Sequence, residues 1–487
     1  MKKLLLSLTL MFGSFASFAQ LTCATATPIL GNETVTVPQI TGTYLGSCVG
    51  GPSINPNAMW YVYTAPGNGE VTIDSNLTVN VAPFSVDTRL SIITGTCTAL
   101  ECYSGDDDVS GTNYLTTLTF PVASGAIYYI VWDDRYSDLG FQFTLAFNAV
   151  PCIRPNDFGV LAPTAITNNS ANLSWTASIG APASYDVEYG ALDFVQGTGT
   201  PVNTLTTSTT ISSPSTPGGD LDYYLRSSCS TVNKSAWIGP YRIFLAKTLP
   251  YSNGFEGVAP TTNTDGFRAS NWILDNDAIY AQTGTWYYYT SSSTSEASDK
   301  SLFTRAISLQ ANEQVTLKFW TKLDFATVPM QLKVLVNTTL STTGATQLGS
   351  TLTLSSTTYA EQTFTFNSGS NPGTYYFIFN NVTPITASVN FLNFDTVSLT
   401  SVLNVNDFLS SKFAVYPNPV NNIINFSNDA NAVVSSVEMA DLNGRVVKTV
   451  KVNATEGQIS VSDLATGMYM MKITTDQGVA IKKIVKQ

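Results

Sequence analysis

The chain has 487 residues and not one histidine. That absence removes Ser-His-Asp and Cys-His nucleophilic catalysis, HExxH zinc hydrolysis and every other imidazole-based metal site. Chemistry run by carboxylates alone survives it. Charge is scarce as well. Asp, Glu, Lys and Arg make up 12% of the residues, about half the usual share. What charge there is sums to −11, which argues against nucleic acid as a partner. Beyond the N-terminus no stretch approaches roughly 18 unbroken apolar residues, so no transmembrane helix is expected. Thr, Ser, Asn, Gly and Tyr fill the space that charge leaves. That is the profile of extracellular all-β modules, whose strands favour Thr, Tyr and Val and whose turns need Gly, Asn and Asp. The length requires several domains, because single cores stop growing well below it.

The opening "MKKLLLSLTLMFGSFASFAQ" reads as a signal peptide over residues 1–19: two lysines, a short apolar run, then Ser17 and Ala19 before the cut. An exported chain turns its six cysteines into three disulfides. Fifteen pairings exist in principle for six cysteines. Local spacing favours Cys23–Cys48, Cys97–Cys102 and Cys152–Cys229.

Turn signals separate short alternating runs along the whole chain, which sets the fold class as all-β, four consecutive β-sandwich or jelly-roll modules after the signal peptide. Residues 20–150 carry "WYVYTAP", "DTRLSIITGTC", "GAIYYIVWDD" and "GFQFTLAF" in order. They resemble the bacterial pre-peptidase C-terminal-like and CUB-like sandwiches, modules that bind or accompany. Residues 151–247 carry "SANLSWTAS", "ASYDVEYG", "DYYLRSSCS" and "WIGPYRIFLA". They resemble a fibronectin type III domain with Trp175 in its core, and the Cys152–Cys229 pair matches a bridge of bacterial secreted versions. Leu221 stands where that family's corner tyrosine would fall. Residues 248–400 carry "NGFEG", "NWILDN", "SLFTRAISL", "VTLKFWTKL", "TYYFIFNNV" and "NFDTVSL". They resemble the cleaved-adhesin or MAM-like jelly roll called choice-of-anchor J in secreted Bacteroidetes proteins. Residues 401–411 are a linker.

Residues 412–487 differ in charge from the rest. They hold eight Lys/Arg against six Asp/Glu, whereas residues 20–411 hold 13 against 28. Seven short runs divided by Asn-Pro, Asn-Gly, Glu-Gly, Thr-Gly and Gln-Gly signals predict a small antiparallel sandwich. "YPNPVNNIINF", "MADLNGRVV", "LATGMYMMKI" and "KKIVKQ" are similar to the type A C-terminal sorting domain of the type IX (Por) secretion system. On that resemblance Pro417, Asn418, Pro419, Gly444, Gly467, Tyr469, Lys482 and Lys483 carry the sorting signal. It implies the type IX machinery as a partner, passage across the outer membrane, removal of the tail, and a body released or anchored at the cell surface.

Three places could carry chemistry. Asp106, Asp107 and Asp108 in "SGDDDVSG", with Asp133 and Asp134 in "WDDRYSD" and Asp87 just upstream, are carboxylates on loops at one end of a sandwich. An all-oxygen cage of this kind suits calcium; solvated turn acids are the plain alternative. Glu256 and Asp395 are the second place, since the resembling adhesin modules bring these two acids together at a structural calcium. The usual closing pair of aspartates is Phe394-Asp395 here, and Asp265, Asp275 and Asp277 could join either cage. The third is "GTWYYYTSSS", where alternation puts Trp286 and Tyr288 on one face and Tyr287 and Tyr289 on the other. One face must be core, and the other could present rings to a sugar or a protein. Trp286 and Tyr288 are taken as the ligand-contact candidates. These features predict a secreted or cell-surface, non-enzymatic modular protein for adhesion or ligand binding, with a surface glycan or protein as partner. A carbohydrate-binding accessory protein or a carboxylate-only polysaccharide hydrolase is the alternative.

Overall fold

The structure is a computed structural model that describes residues 21–43, 46–49, 57–213, 219–256, 264–403, 412–429, 431–441 and 444–487. The signal peptide and residues 404–411 of the linker lie outside the described residues. The chain is all-β, as its alternating runs predict, and divides into two compact units, Met1–Leu245 and Ala246–Gln487.

Two sandwiches make up the first unit. One sheet of the first sandwich runs Thr27–Ile29, Ala58–Thr64, Ile127–Asp133, Arg89–Thr96, Ala99–Asp106. The other runs Glu33–Val37, Phe141–Asn148, Gly69–Asp74, Thr117–Val122. Alternate residues of each strand point into the space between the sheets. There Tyr61, Leu90, Ile92, Ile130 and Trp132 from one sheet meet Val71, Ile73, Phe120 and Phe143 from the other. The second sandwich packs the pair Ser170–Ser174 and Ser208–Ser212 against the sheet Thr200–Thr204, Ser184–Ala191, Leu221–Ser228, Ile238–Ile243. Trp175 lies in its core, edge-on to Tyr185. The two sandwiches are tied by an Arg154–Glu70 ion pair at 2.9 Å and by the Asn156 amide donating to the Tyr103 carbonyl at 2.9 Å.

The disulfides are Cys23–Cys97, Cys48–Cys102 and Cys152–Cys229. Only the third agrees with local spacing. Cys97 sits at the tip of the hairpin Arg89–Thr96/Ala99–Asp106, while Cys102 lies down the returning strand opposite Ile93. Three residues of extended chain past the tip put about 10 Å between them, beyond disulfide reach. Each therefore bonds to a cysteine of the N-terminal segment instead.

In the second unit, residues 246–403 form a larger sandwich. One sheet runs Ile273–Asn276, Trp286–Ser291, Phe391–Leu403, Glu313–Leu323, Ala360–Asn367, with Tyr251–Asn253 also pairing with Phe391–Leu403. The facing sheet is built around Lys300–Phe303, Gly373–Asn381 and Met330–Asn337. Glu313–Leu323 shows the period-2 rule over its full length: Val315, Leu317, Phe319 and Leu323 are buried, and the residues between them reach the other face.

The tail has the seven strands expected of it. Phe413–Tyr416, Ile423–Asn428 and Gly457–Ser460 form one sheet, and Val446–Ala454, Val434–Ala440, Gly467–Thr475 and Gly478–Lys486 the other. Asn418 accepts from the Val485 amide at 2.9 Å and donates to the Lys483 carbonyl at 2.7 Å, so its side chain acts as one more rung on the last strand. Gly444 takes φ +79° in the turn where Asp441 accepts from the Arg445 amide, and the Tyr469 hydroxyl donates to the Ala465 carbonyl.

No helix among the described residues is long and apolar enough to cross a membrane.

Candidate functional site

The five aspartates expected to share a calcium cage in the first sandwich separate. Asp133 is not free to ligate. It faces Arg89 across two paired strands, and Arg89 Nε donates to both of its oxygens at 2.8 and 2.9 Å. The two side chains are 2% and 0% exposed. Asp134 is also committed, accepting from the backbone and side-chain amides of Asn57 at 2.8 and 2.7 Å. Asp106 ends the strand Ala99–Asp106 opposite Leu90, and burial pushes its carboxyl up to about 6.

Asp87, Asp107 and Asp108 do come together, with one oxygen of each lying within 4.8 Å of the others. Oδ1 of Asp87 and Oδ1 of Asp107 are buried and lack a hydrogen-bond partner among the described residues. Burial, then the charges of Asp107 and Asp108, push Asp87 up to about 6; burial and Asp108 push Asp107 up as well. Converging carboxylate oxygens with open lone pairs fit a hard divalent cation such as calcium, magnesium or manganese.

Glu256 and Asp395 meet a different need. Asp395 is fully buried. Its Oδ2 accepts from the Gln282 and Thr283 amides at 2.7 and 3.1 Å, and its Oδ1 from the amide and hydroxyl of Thr396 at 2.6 and 3.3 Å. Three backbone N–H groups thus hold this carboxylate in place. Glu256 accepts from the Thr285 and Trp286 amides, both at 2.9 Å. The two acids are clamps on the segment 282–286, each accepting from two of its backbone N–H groups. Gly284 passes beneath the Glu256 carboxylate at φ +64°, where a Cβ would come within 2.2 Å of it. Gly284→Ala should therefore cost about 1–2 kcal/mol and loosen this segment. Urea unfolding combined with protease sensitivity near residue 284 would check it; unchanged values for both would refute the clamp.

The clamped segment matters because it shapes the outer face of the sheet. Trp286 and Tyr288 turn inward, against the expectation that they contact ligand. Both are buried, with Tyr288 packed edge-on to Phe255. Tyr287 and Tyr289 take the outer face, next to Asn393 and Lys322 on the neighbouring strands. Residues 277–285 fold over that face. Tyr280 stacks on Tyr287 at 6.0 Å, the Tyr359 hydroxyl donates to the Tyr280 carbonyl at 2.6 Å, and Lys322 Nζ donates to the Ile279 carbonyl at 3.1 Å. Lys322 also lies 5.4 and 4.9 Å from the rings of Tyr280 and Tyr359.

An open cleft of about 200 Å³ results, walled by Tyr280, Tyr287, Tyr289 and Phe391 with Asp275, Asp324 and Asn393 among them. Its polar groups are oriented in advance. Asp275 accepts from the Tyr287 hydroxyl at 3.0 Å and Asp324 from the Asn393 amide at 2.7 Å. Burial, then Asp275, push the Tyr287 hydroxyl well above the usual tyrosine range. Alternation alone divides 286–289 into two faces. Which face is core depends on the pairing of Tyr288 with Phe394, and that pairing is not visible locally.

Comparison with known proteins bears first on the tail. Residues 414–487 match the secretion system C-terminal sorting domain. The tail is thus the sorting domain that its motifs indicate, and the sorting-signal residues lie within the matched span. No curated protein matches the chain. Among solved structures, a cleaved adhesin domain of Lys-gingipain from Porphyromonas gingivalis is similar at 17% identity and TM-score 0.25, over 31% of this chain and 96% of that one. A xylan-binding domain from Paenibacillus barcinonensis is similar at 18% identity and TM-score 0.23, over 31% and 93% of the two chains. The N-terminal cellulose-binding domain of a Cellulomonas fimi β-1,4-glucanase is similar at 16% identity and TM-score 0.24, over 33% and 99%.

Proposed function

We propose that this chain is a secreted or surface-held ligand-binding protein, delivered by the type IX machinery acting on its tail, and that its third sandwich engages carbohydrate through the tyrosine-walled cleft. One observation carries the reading: aromatic faces and pre-oriented carboxylate and amide groups line one open cleft. Sugar rings present apolar C–H faces and a rim of hydroxyls, which is the complement of such a surface. Tyr280 is 37% exposed, so it can take a ring without rearrangement. The sorting match supports export.

The role is binding without cleavage. Asp275 and Asp324 each accept a hydrogen bond from a neutral neighbour that fixes the cleft wall. A glycosidase needs one carboxyl kept protonated opposite a second that is free to attack or to activate water. The triad Asp87, Asp107, Asp108 is assigned a structural calcium on the geometry given above.

The test is a glycan-array screen of the full-length chain followed by titration of the best hits. Tyr289→Ala should weaken them at least ten-fold, the usual scale for an aromatic anchor, with unchanged thermal stability. Long incubation should release no reducing sugar. Binding unaffected by both Tyr280→Ala and Tyr289→Ala would exclude the cleft as the site, and released sugar would exclude a purely binding role.

A further inference from the structure

A second cavity, on the outer face of the second sandwich, is independent of that cleft. Tyr185, Val187 and Leu225 point into the core there, so Asp186, Glu188 and Arg226 point outward. Outward charges on a sheet are normally solvated, yet Asp186 and Glu188 are only 9% and 5% exposed. The loop between Ala191 and Thr200 folds back over the sheet, where the Gly197 and Gly199 amides both donate to Glu188 Oε1 at 2.7 Å. From the other side, residues 229–237 bring Lys234 and Trp237. Between them lies a cavity of about 670 Å³, within the roughly 300–1,000 Å³ of small-molecule sites.

The two carboxylates in it are satisfied differently. Glu188 is answered by the two backbone amides. Asp186 is shared by three donors: Arg226 Nε at 2.9 Å, Lys234 Nζ at 2.7 Å and Asn203 Nδ2 at 2.8 Å. With Glu188 counted, two carboxylates balance two cations and the lining is neutral overall, but both cations gather on Asp186, so it is their remaining N–H donors that are in surplus. Arg226 binds Asp186 through Nε, so its Nη fork makes no hydrogen bond to the described residues. The guanidinium is held 4.1 Å over the Trp237 ring, which fixes its plane before any ligand arrives. A rigid fork with an ammonium beside it is the arrangement that takes a carboxylate in bidentate fashion.

We infer that this cavity binds an acidic sugar, a uronate residue of a polysaccharide, with its carboxylate on the Arg226 fork and Lys234. The cavity is far larger than a bare anion needs. Beyond the fork it is lined by Trp237 and by groups that bond hydroxyls, Gln196 and Asn203. A ring carrying both a carboxylate and hydroxyls satisfies that lining; an aliphatic acid leaves its amides unmet.

Titration calorimetry of the full-length chain with galacturonate, glucuronate and mannuronate trimers, against galactotriose and an oligoglutamate peptide, tests the inference. At least one uronate trimer should bind ten-fold or more tightly than galactotriose, and added salt should weaken it. Arg226→Lys keeps the charge and removes the fork, and should cost at least ten-fold. Lys234→Met, nearer the solvent edge, should also weaken binding, and unchanged binding of the cleft's own glycans by both variants guards against a folding artefact. Tyr289→Ala should have no effect. The inference fails if no uronate binds, if galactotriose binds equally well, if the peptide binds better than every uronate, or if neither Arg226→Lys nor Lys234→Met changes affinity.

Discussion

Asp133→Ala is expected to destabilise the first unit by about 3–5 kcal/mol, equally with and without calcium. The reason is the partner left behind. Arg89 and Asp133 lie directly opposite each other on neighbouring strands with almost no exposed side-chain surface. Removing the carboxylate leaves a guanidinium that cannot lose its proton and cannot reach water. For a unit of this size the loss corresponds to a drop of roughly 10 °C in melting temperature. Calorimetry of the full-length chain would show the first unit's transition move while that of the second unit stays. Asp133→Asn, which keeps the volume, should fall between the two. A shift under about 2 °C would show that the pair contributes little. A loss that calcium reverses would return Asp133 to the metal site.

The same strand, Ile127–Asp133, shows how far the residues alone could be read. Its alternation was legible, and so was the all-β class. The seven tail strands were too, because each is bounded by a turn residue with a backbone reason to be there. Gly444 at φ +79° is one such residue. What stayed hidden was whatever depends on which strand lies next to which. "WDD" looks like two loop acids until pairing puts Arg89 opposite Asp133. Cys97 and Cys102 look like partners until the hairpin places one at its tip and the other down its side. Trp286 and Tyr288 share a face by alternation, but only the pairing of Tyr288 with Phe394 makes that face the core and gives Tyr287 and Tyr289 the other. The second-sandwich cavity left no local signal at all. Asp186, Arg226 and Lys234 lie on separate segments and meet only through sheet register and two folded-back loops.

Calcium is expected to raise the melting temperature of the first unit at pH 7.5, and to raise it less at pH 5. Asp87 holds its proton to about pH 6 because burial and the charges of Asp107 and Asp108 oppose ionisation. An unfolded aspartate loses its proton near pH 3.9. The folded state therefore binds the extra proton in that window, and this group's contribution to stability is present below about pH 4 and lost as pH rises through 6. Above pH 6 the metal-free triad carries unrelieved repulsion, and a divalent cation can then act where the proton did. Calcium at 100 times its dissociation constant would return about 2.7 kcal/mol, or roughly 5–10 °C for a unit of this size. Asp108→Asn should abolish the response. Asp87→Asn should abolish it too while raising the melting temperature of the calcium-free protein, because the most strongly opposed charge is gone. Identical melting curves in excess calcium and in chelator would show that the triad holds no cation, and the raised pKa of Asp87 would then serve only to make the folded protein tolerant of acid. A calcium response that survives both substitutions would move the ion elsewhere in the chain.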